Sequence, residues 1–395
     1  MKENTSNTKN NSFQTSRVLL LSMCHFIHDI YSSFLAPLLP FLIEKFSLSL
    51  TQAGLLSTVM QLPALLNPFI GKLADRISVR YFIILAPMMT AVPMSLLGVA
   101  PNYSVVMILL FLTGISVSLF HVPAPVMVYR VSGNRTGQGM SFYMTGGELA
   151  RTVGPIAIIA LISVFGLEGY YPVMVVGIGA SVVMFVKFKD LPTPPKQRET
   201  IPIRKTCRKM KGLLVPLTAI VFARGFMHAC LTAFLPIYIM QQTGEVWLAG
   251  ISLAAFEAAG VVGIMAIGTL SDRFGRKEML LFCLVLAPIS LLLFTFSSGW
   301  LRFPTLIITG FSLLSTTPVM LAMVQEYSED GSSAANGVFM MISFMARSAV
   351  VVLIGFIADH IGLEKTYVLC AALGFMGIPF VLKIKSTRKP KQETV

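Results

Sequence analysis

The sequence contains little charge. Only 12% of its 395 residues are Asp, Glu, Lys or Arg, whereas 55% are hydrophobic. A water-soluble protein carries about 25% charged residues, because its surface must be hydrated. The composition therefore excludes an ordinary soluble globular protein.

Cysteine is also scarce, and the motifs of several enzyme classes are missing. The five cysteines form no CxxC pair and their number is odd, which argues against a disulfide framework or a cysteine metal site. The chain has no HExxH, GxSxG or GxxxxGK[ST] motif, which leaves zinc-protease, serine-hydrolase and ATP-binding chemistry unsupported. We expect no enzymatic activity, no cofactor and no bound metal.

Apolar runs recur along the chain, each about as long as the 20-residue helix that crosses a bilayer. They predict an all-α membrane protein with twelve spanning helices, at 17–43, 50–72, 80–100, 103–130, 138–165, 169–188, 213–241, 247–270, 278–299, 301–327, 334–361 and 364–384. The predicted domains are a disordered tail (1–16), a six-helix bundle (17–188), a basic linker (189–212), a second bundle (213–385) and a tail (386–395).

The basic residues are distributed unevenly across the predicted membrane. Of the 31 Lys and Arg residues, 25 lie on the side of the termini and the linker, and 3 lie in the opposite loops. The positive-inside rule then predicts a multi-pass protein of the inner or plasma membrane with both termini in the cytoplasm. This asymmetry accounts for most of the +13 net charge without nucleic acid. We expect a monomer with the lipid bilayer as its partner.

The two halves of the chain resemble each other. The segment GKLADRISVR (71–80) recurs as GTLSDRFGRK (268–277), and Pro40 matches Pro236 after a shift of 196 positions. Arg151 and Arg347 are also 196 positions apart. Such duplication is typical of secondary transporters. Because each half has six predicted spans, the halves are expected to be parallel repeats about an axis normal to the membrane.

The repeated segment resembles the loop between spans 2 and 3 of the major facilitator superfamily. The resemblance implies a twelve-helix transporter that works by alternating access. It also implies a conformational latch, in which an Asp at a helix end and nearby Arg residues pair across the halves in one state. The latch residues would be Gly71, Asp75, Arg76, Arg80, Gly268, Asp272, Arg273 and Arg276. The alternative is that these charges only anchor a cytoplasmic loop.

Three further segments, SMCHFIHDIYSS, SLFHVPAPVMVYRVSGNRTGQ and MTGGELARTVGP, resemble the fosmidomycin-resistance group of efflux proteins. The resemblance implies export of a drug, antibiotic or metabolite by proton antiport. The sequence departs from that group at His28, which replaces an Asn, and at Pro123, which is displaced by one position. Glu148 and Arg151 add charges where the group is mostly uncharged.

Ionisable side chains within the predicted spans are few. Each raises the free energy of membrane insertion by about 2.5–3.5 kcal/mol when it lies at the bilayer centre. The residues predicted to couple transport to protons are Asp29, His25, His28 and Glu148. Those predicted to bind substrate are Arg151, Arg347, Arg224, His121, His228 and Glu257. Because Arg can hold a carboxylate or phosphonate through two hydrogen bonds, the predicted substrate is a small anionic or amphiphilic molecule.

Other interpretations of these groups stay open. His25 and Asp29 could form a fixed pair that ties span 1 to span 4, and the arginines could form internal salt bridges with Glu148 or Glu257. Imidazoles and a carboxylate also suit a divalent first-row metal. The same fold could therefore carry an anionic metabolite or a metal-chelating metallophore instead.

Overall fold

The computed structural model describes residues 13–67, 70, 80–132, 136–188, 208–327 and 333–384, and every regular element within them is a helix. The N-terminal half contains α1 (Thr15–Ser32), α2 (Leu35–Phe46), α3 (Leu50–Gln61), α4 (Arg80–Ser95), α5 (Tyr103–His121), α6 (Ala124–Val131), α7 (Thr136–Phe165) and α8 (Met174–Phe188). The C-terminal half contains α9 (Lys211–Thr243), α10 (Val246–Phe274), α11 (Arg276–Phe296), α12 (Arg302–Tyr327), α13 (Ser333–Ile361), α14 (Leu363–Phe375) and α15 (Ile378–Lys383).

These helices follow the predicted apolar runs. Ten helical stretches among the described residues are long and apolar enough to cross a membrane, and Leu50–Leu66 is a shorter apolar helix. The predicted tails and linker lie largely outside the described residues, as do Gly71, Asp75 and Arg76 of the predicted latch.

Some predicted spans are divided by breaks near proline. The predicted span 103–130 is two helices, because α5 ends at His121 and Pro123 stands at the N-cap of α6. Proline lacks the N–H that a continuous helix would use and its ring crowds the preceding turn. The predicted span 364–384 likewise divides into α14 and α15, before Pro379.

The halves close against each other at one face, here called the distal face, which carries the turns at 47–49, 97–102, 244–245 and 362. Helix α3 packs on α13 and α7 packs on α10. A Cβ atom on Gly54 or Gly355 would collide with the backbone of the facing helix, so these glycines allow the close approach of α3 and α13. The Thr58 hydroxyl donates a hydrogen bond to the Ser348 carbonyl at 2.9 Å across the same seam.

Asp359, on α13, adds a charged contact at the distal end of this seam. Its carboxylate accepts hydrogen bonds from the backbone N–H groups of Leu50 at 2.7 Å and Thr51 at 2.8 Å, and from the Thr51 hydroxyl. These N–H groups belong to the first turn of α3, where the helix dipole favours a negative charge. The C-terminal half thus caps a helix of the N-terminal half.

Candidate functional site

The first part of the site is a buried carboxylate among histidines. Asp29, 7% exposed, lies on α1 among the side chains of the N-terminal half. Its Oδ2 is 3.2 Å from His25 Nε2, one helical turn earlier, and its Oδ1 is 3.1 Å from His121 Nε2 on α5. This carboxylate therefore joins two helices, which correspond to predicted spans 1 and 4.

The orientation of His25 leaves its Nε2 without a proton when the ring is neutral. His25 Nδ1 lies 2.8 Å from the Tyr143 carbonyl oxygen, which can only accept a hydrogen bond, so Nδ1 carries a proton. A neutral ring then has no proton on Nε2, the atom that faces Asp29. The contact between His25 and Asp29 is a hydrogen bond only if the ring or the carboxyl group binds one more proton. One added proton would therefore lie between His25 Nε2 and Asp29 Oδ2.

His28, which was predicted to take part in proton coupling, lies deep in the N-terminal half. It is fully buried, and its Nδ1 lies 2.9 Å from the Thr90 hydroxyl on α4, which in turn is 2.7 Å from the Ser116 hydroxyl. Its Nε2 is 3.9 Å from Asp29 Oδ1, longer than the His25 and His121 contacts. Thr90 and Ser116 were missed because nothing in their local sequence signals a histidine partner.

His121 is the exposed member of the cluster. Its side chain is 38% exposed, while the His25 and Asp29 side chains are almost inaccessible. His121 is therefore the member of the cluster that borders accessible space. One ligand atom each from His25, Asp29 and His121 also lie within 4.8 Å of one another, a separation that a divalent metal could bridge.

The second part of the site is on α7. Pro155 and Ile159 of this helix contact Gly250 of α10, so this stripe of α7 faces the C-terminal half. Arg151 lies one turn before Pro155 on the same stripe, and its guanidinium pairs with Glu148. The Arg151 side chain is 47% exposed although it stands in the middle of a span. The sequence position and the orientation of α7 thus place Arg151 at an open space between the halves.

The C-terminal half supplies two charges that approach this pair. Arg347 precedes Ser348 and Val351, the residues of α13 that contact α3, so it lies near the same seam. It interacts electrostatically with Arg151 and with Glu257 of α10. Arg151 and Arg347 occupy matched positions in the two repeats, and Glu257 interacts with both.

Arg224 and His228 occupy one face of α9. Arg224 is 7% exposed, and its Nη1 donates a hydrogen bond to the Thr317 hydroxyl of α12 at 2.8 Å. Both Arg224 and His228 interact electrostatically with Arg347. Thr317 was missed because it follows Ser315 and Thr316, and the sequence does not show which of these three hydroxyl groups faces α9.

The predicted latch residues are only partly described. In the second copy, Arg273 is exposed near the end of α10, and Arg276 starts α11 and donates a hydrogen bond to the Ser271 hydroxyl. Gly268 lies on α10 and Arg80 starts α4. The side chain of Asp272 lies outside the described set. The pairing of this latch across the halves stays a prediction.

Comparison with protein families identifies one match. Residues 21–263 and 217–395 match the Major Facilitator Superfamily. The two segments overlap and together cover nearly the whole chain, and the superfamily consists of membrane transporters.

Curated relatives include efflux proteins. The chain is 27% identical over 367 residues to the fosmidomycin resistance protein of Escherichia coli K12, covering 91% of this chain and 90% of that protein. It is 25% identical over 280 residues to the multidrug resistance protein MdtG of Serratia proteamaculans, covering 66% of each chain.

Solved structures share the fold. A bacterial homologue of the human lysosomal transporter Spinster, in an inward-facing and unoccupied conformation, superposes with a TM-score of 0.77 at 15% identity and covers 95% of this chain and 97% of its own. The nucleoside transporter NupG superposes with a TM-score of 0.78 at 13% identity, covering 93% of this chain and all of its own. The predicted twelve-helix fold is confirmed.

Proposed function

The chain belongs to the Major Facilitator Superfamily and is therefore a multi-pass membrane transporter, not an enzyme; we propose that it is a proton-coupled antiporter that exports a small anionic or amphiphilic compound. The observation that carries the proposal is the buried pair of His25 and Asp29, whose hydrogen bond needs an additional proton. The proposed location of the protein is the cell membrane, with both termini in the cytoplasm.

The proton site and the substrate site are close enough to influence each other. Asp29 interacts electrostatically with Arg151, which stands at the seam between the halves. The protonation state of Asp29 therefore changes the charge around Arg151, which in turn interacts with Arg347 of the C-terminal half. Proton binding and substrate binding are therefore linked, as coupled transport requires.

The chemistry of the substrate follows from the arginines. Arg151, Arg224 and Arg347 present guanidinium groups that can bind a carboxylate or phosphonate through paired hydrogen bonds. The relative named for resistance to fosmidomycin, a phosphonate, supports an anionic substrate. An anionic metabolite or metallophore is the second candidate, favoured by the nearness of the ligand atoms of His25, Asp29 and His121.

Alternating access is supported by the closed distal seam. With α3 sealed on α13 and α7 on α10, the charged groups would be reached from the face that carries the termini. In the proposed orientation this is the cytoplasmic face, where an exporter collects substrate. The latch formed by the two copies of the repeated segment would close this face in the alternate state.

The test is flux in proteoliposomes with fosmidomycin as the probe. We expect an imposed pH gradient to drive fosmidomycin movement and proton counterflow. Asp29→Asn should reduce this flux at least tenfold, because the amide cannot bind the transported proton. Glu364→Gln is the control, since Glu364 is an exposed acid at the distal face. Folding of each variant is checked by thermal unfolding in detergent.

Two outcomes would contradict the proposal. Fosmidomycin flux that is insensitive to the pH gradient would exclude proton coupling, and full gradient-driven flux in Asp29→Asn would remove Asp29 from the mechanism. If fosmidomycin does not move, the same assay with citrate and with an iron–citrate chelate tests the second candidate.

A further inference from the structure

Arg224 has hydrogen-bonding capacity that the described residues do not use. Its guanidinium makes one hydrogen bond, from Nη1 to Thr317, while its Nε is buried and has no partner among them. A buried donor without a partner destabilises a protein, and more so when the group is charged. Such a group in a transporter indicates a place for a ligand.

The first repeat shows what the second repeat is missing. After the shift of 196 positions, Asp29 corresponds to Gly225, and His121 corresponds to Thr317. In the first repeat the carboxylate of Asp29 accepts a hydrogen bond from His121. In the second repeat a glycine occupies the position that matches Asp29. Helix α9 therefore provides no carboxylate near Arg224, whereas α1 provides one to His121.

The surrounding charges are positive as well. Arg224 interacts electrostatically with Arg347, and His228 lies one turn further along α9, facing both. Like charges in a region of low dielectric constant repel each other strongly. An anion between them would convert this repulsion into attraction.

Arg151 differs from Arg224 in this respect. Arg151 is paired with Glu148 and also interacts with Glu257, so its charge is already compensated within the protein. Arg347 interacts with Glu257 too. Among the described groups, Arg224 is the arginine of this site with no nearby carboxylate.

We infer that the oxoanion group of the substrate binds to Arg224 and Thr317 in the C-terminal half, whereas Arg151 serves an internal charge network. This inference rests on the proposed transport of an anionic compound. The ligand class is a small organic molecule with one carboxylate or phosphonate. Arg347 adds positive charge around the bound group.

Binding of phenylphosphonate to the purified, full-length protein in detergent tests the inference. Calorimetric titration should show binding of phenylphosphonate and none of its neutral diethyl ester. Arg224→Gln should weaken the affinity at least tenfold, and Thr317→Val about three- to tenfold. Thr305→Val is the matched control on α12, because the Thr305 hydroxyl donates only to carbonyls of its own helix turn, Leu301 and Arg302.

Thermal unfolding in anion-free buffer separates a ligand-binding role from a structural one. Arg224→Gln should unfold at the same or a higher temperature than the wild type, because it removes a buried, uncompensated charge. Phenylphosphonate should raise the unfolding temperature of the wild type and leave that of Arg224→Gln unchanged. A variant that is destabilised without anion would overturn the inference, as would unchanged affinity or a wild type that does not bind phenylphosphonate.

The binding assay is independent of proton coupling, since it uses no gradient. If phenylphosphonate binding depends on Arg224 but flux does not depend on the pH gradient, proton coupling is excluded and the anion site is supported. If gradient-driven flux is found but phenylphosphonate binds Arg224→Gln as tightly as the wild type, the anion site fails and proton coupling stands.

Discussion

Gly147 holds α7 close to the proton-binding cluster. A Cβ atom at this position would lie 2.5 Å from Cε1 and 2.6 Å from Nε2 of His25, and 3.2 Å from Oδ2 of Asp29. These distances are far below van der Waals contact. The glycine therefore leaves the space in which the His25 ring meets the carboxylate, although it has no chemistry of its own.

Gly147→Ala is expected to impair proton coupling without unfolding the protein. The added methyl group must push the His25 ring, a movable side chain, away from Asp29. We expect gradient-driven fosmidomycin flux to fall at least tenfold in proteoliposomes. Gly179→Ala is the control, because nothing lies within 4 Å of a Cβ atom there and alanine favours a helix by about 0.5–1 kcal/mol.

The sequence revealed the ionisable residues but not their partners. Asp29, His25 and Arg151 stand out because charge is rare in apolar spans. Thr317 and the Tyr143 carbonyl do not, since a contact between helices depends on their rotation and separation, which local sequence does not determine. For the same reason the contact of His28 with Thr90 was not predicted.

Helices α3 and α13 form a seam that must open for the transporter to change state. The close approach of their backbones brings Asp359 to the first turn of α3, where it accepts hydrogen bonds from Leu50 and Thr51. Charge-assisted hydrogen bonds at a helix N-terminus are stronger than neutral ones. These contacts would favour the state in which the distal face is closed.

Asp359→Asn should shift the equilibrium toward a state with an open distal face. The amide has one acceptor oxygen and no charge, so about 1–2 kcal/mol of stabilisation is lost, or roughly a tenfold change in population. Distances between spin labels at Pro101 and Gln242, one in each half, measure the shift. Both positions are exposed and the four described cysteines are buried, and Cys207 is replaced by serine before labelling.

Glu364→Gln is the control for this measurement, because Glu364 is an exposed acid at the same face in the first turn of α14. A label distance distribution in Asp359→Asn that matches the wild type would show that the carboxylate does not hold the seam. The seam itself was beyond sequence analysis: hydropathy locates spans, and it does not show which faces of two helices meet.

Across the whole molecule, the two repeats keep matched positions but carry different ionisable residues at several of them. The N-terminal half holds Asp29 among histidines, and the C-terminal half holds Arg224 and Arg347 around a position where Gly225 replaces the acid. Arg151 and Arg347 occupy matched positions in the duplication. The proposed separation of a proton site and an anion site places one ligand in each half, so both sites change environment as the halves rock.

The charge distribution of the whole chain predicts its orientation in the membrane. The termini and the linker side carry 25 of the 31 basic residues, against 3 in the opposite loops, and basic loops are retained in the cytoplasm. Green fluorescent protein fused after Val395 should therefore fluoresce, because it folds in the cytoplasm. Alkaline phosphatase inserted after Gly244 or Gly362, in the distal turns, should be active outside it. The reverse pattern of activities would contradict this orientation. The face sealed by Asp359 would then be the cytoplasmic one, and the conformation with a closed distal face would take up substrate from outside the cell.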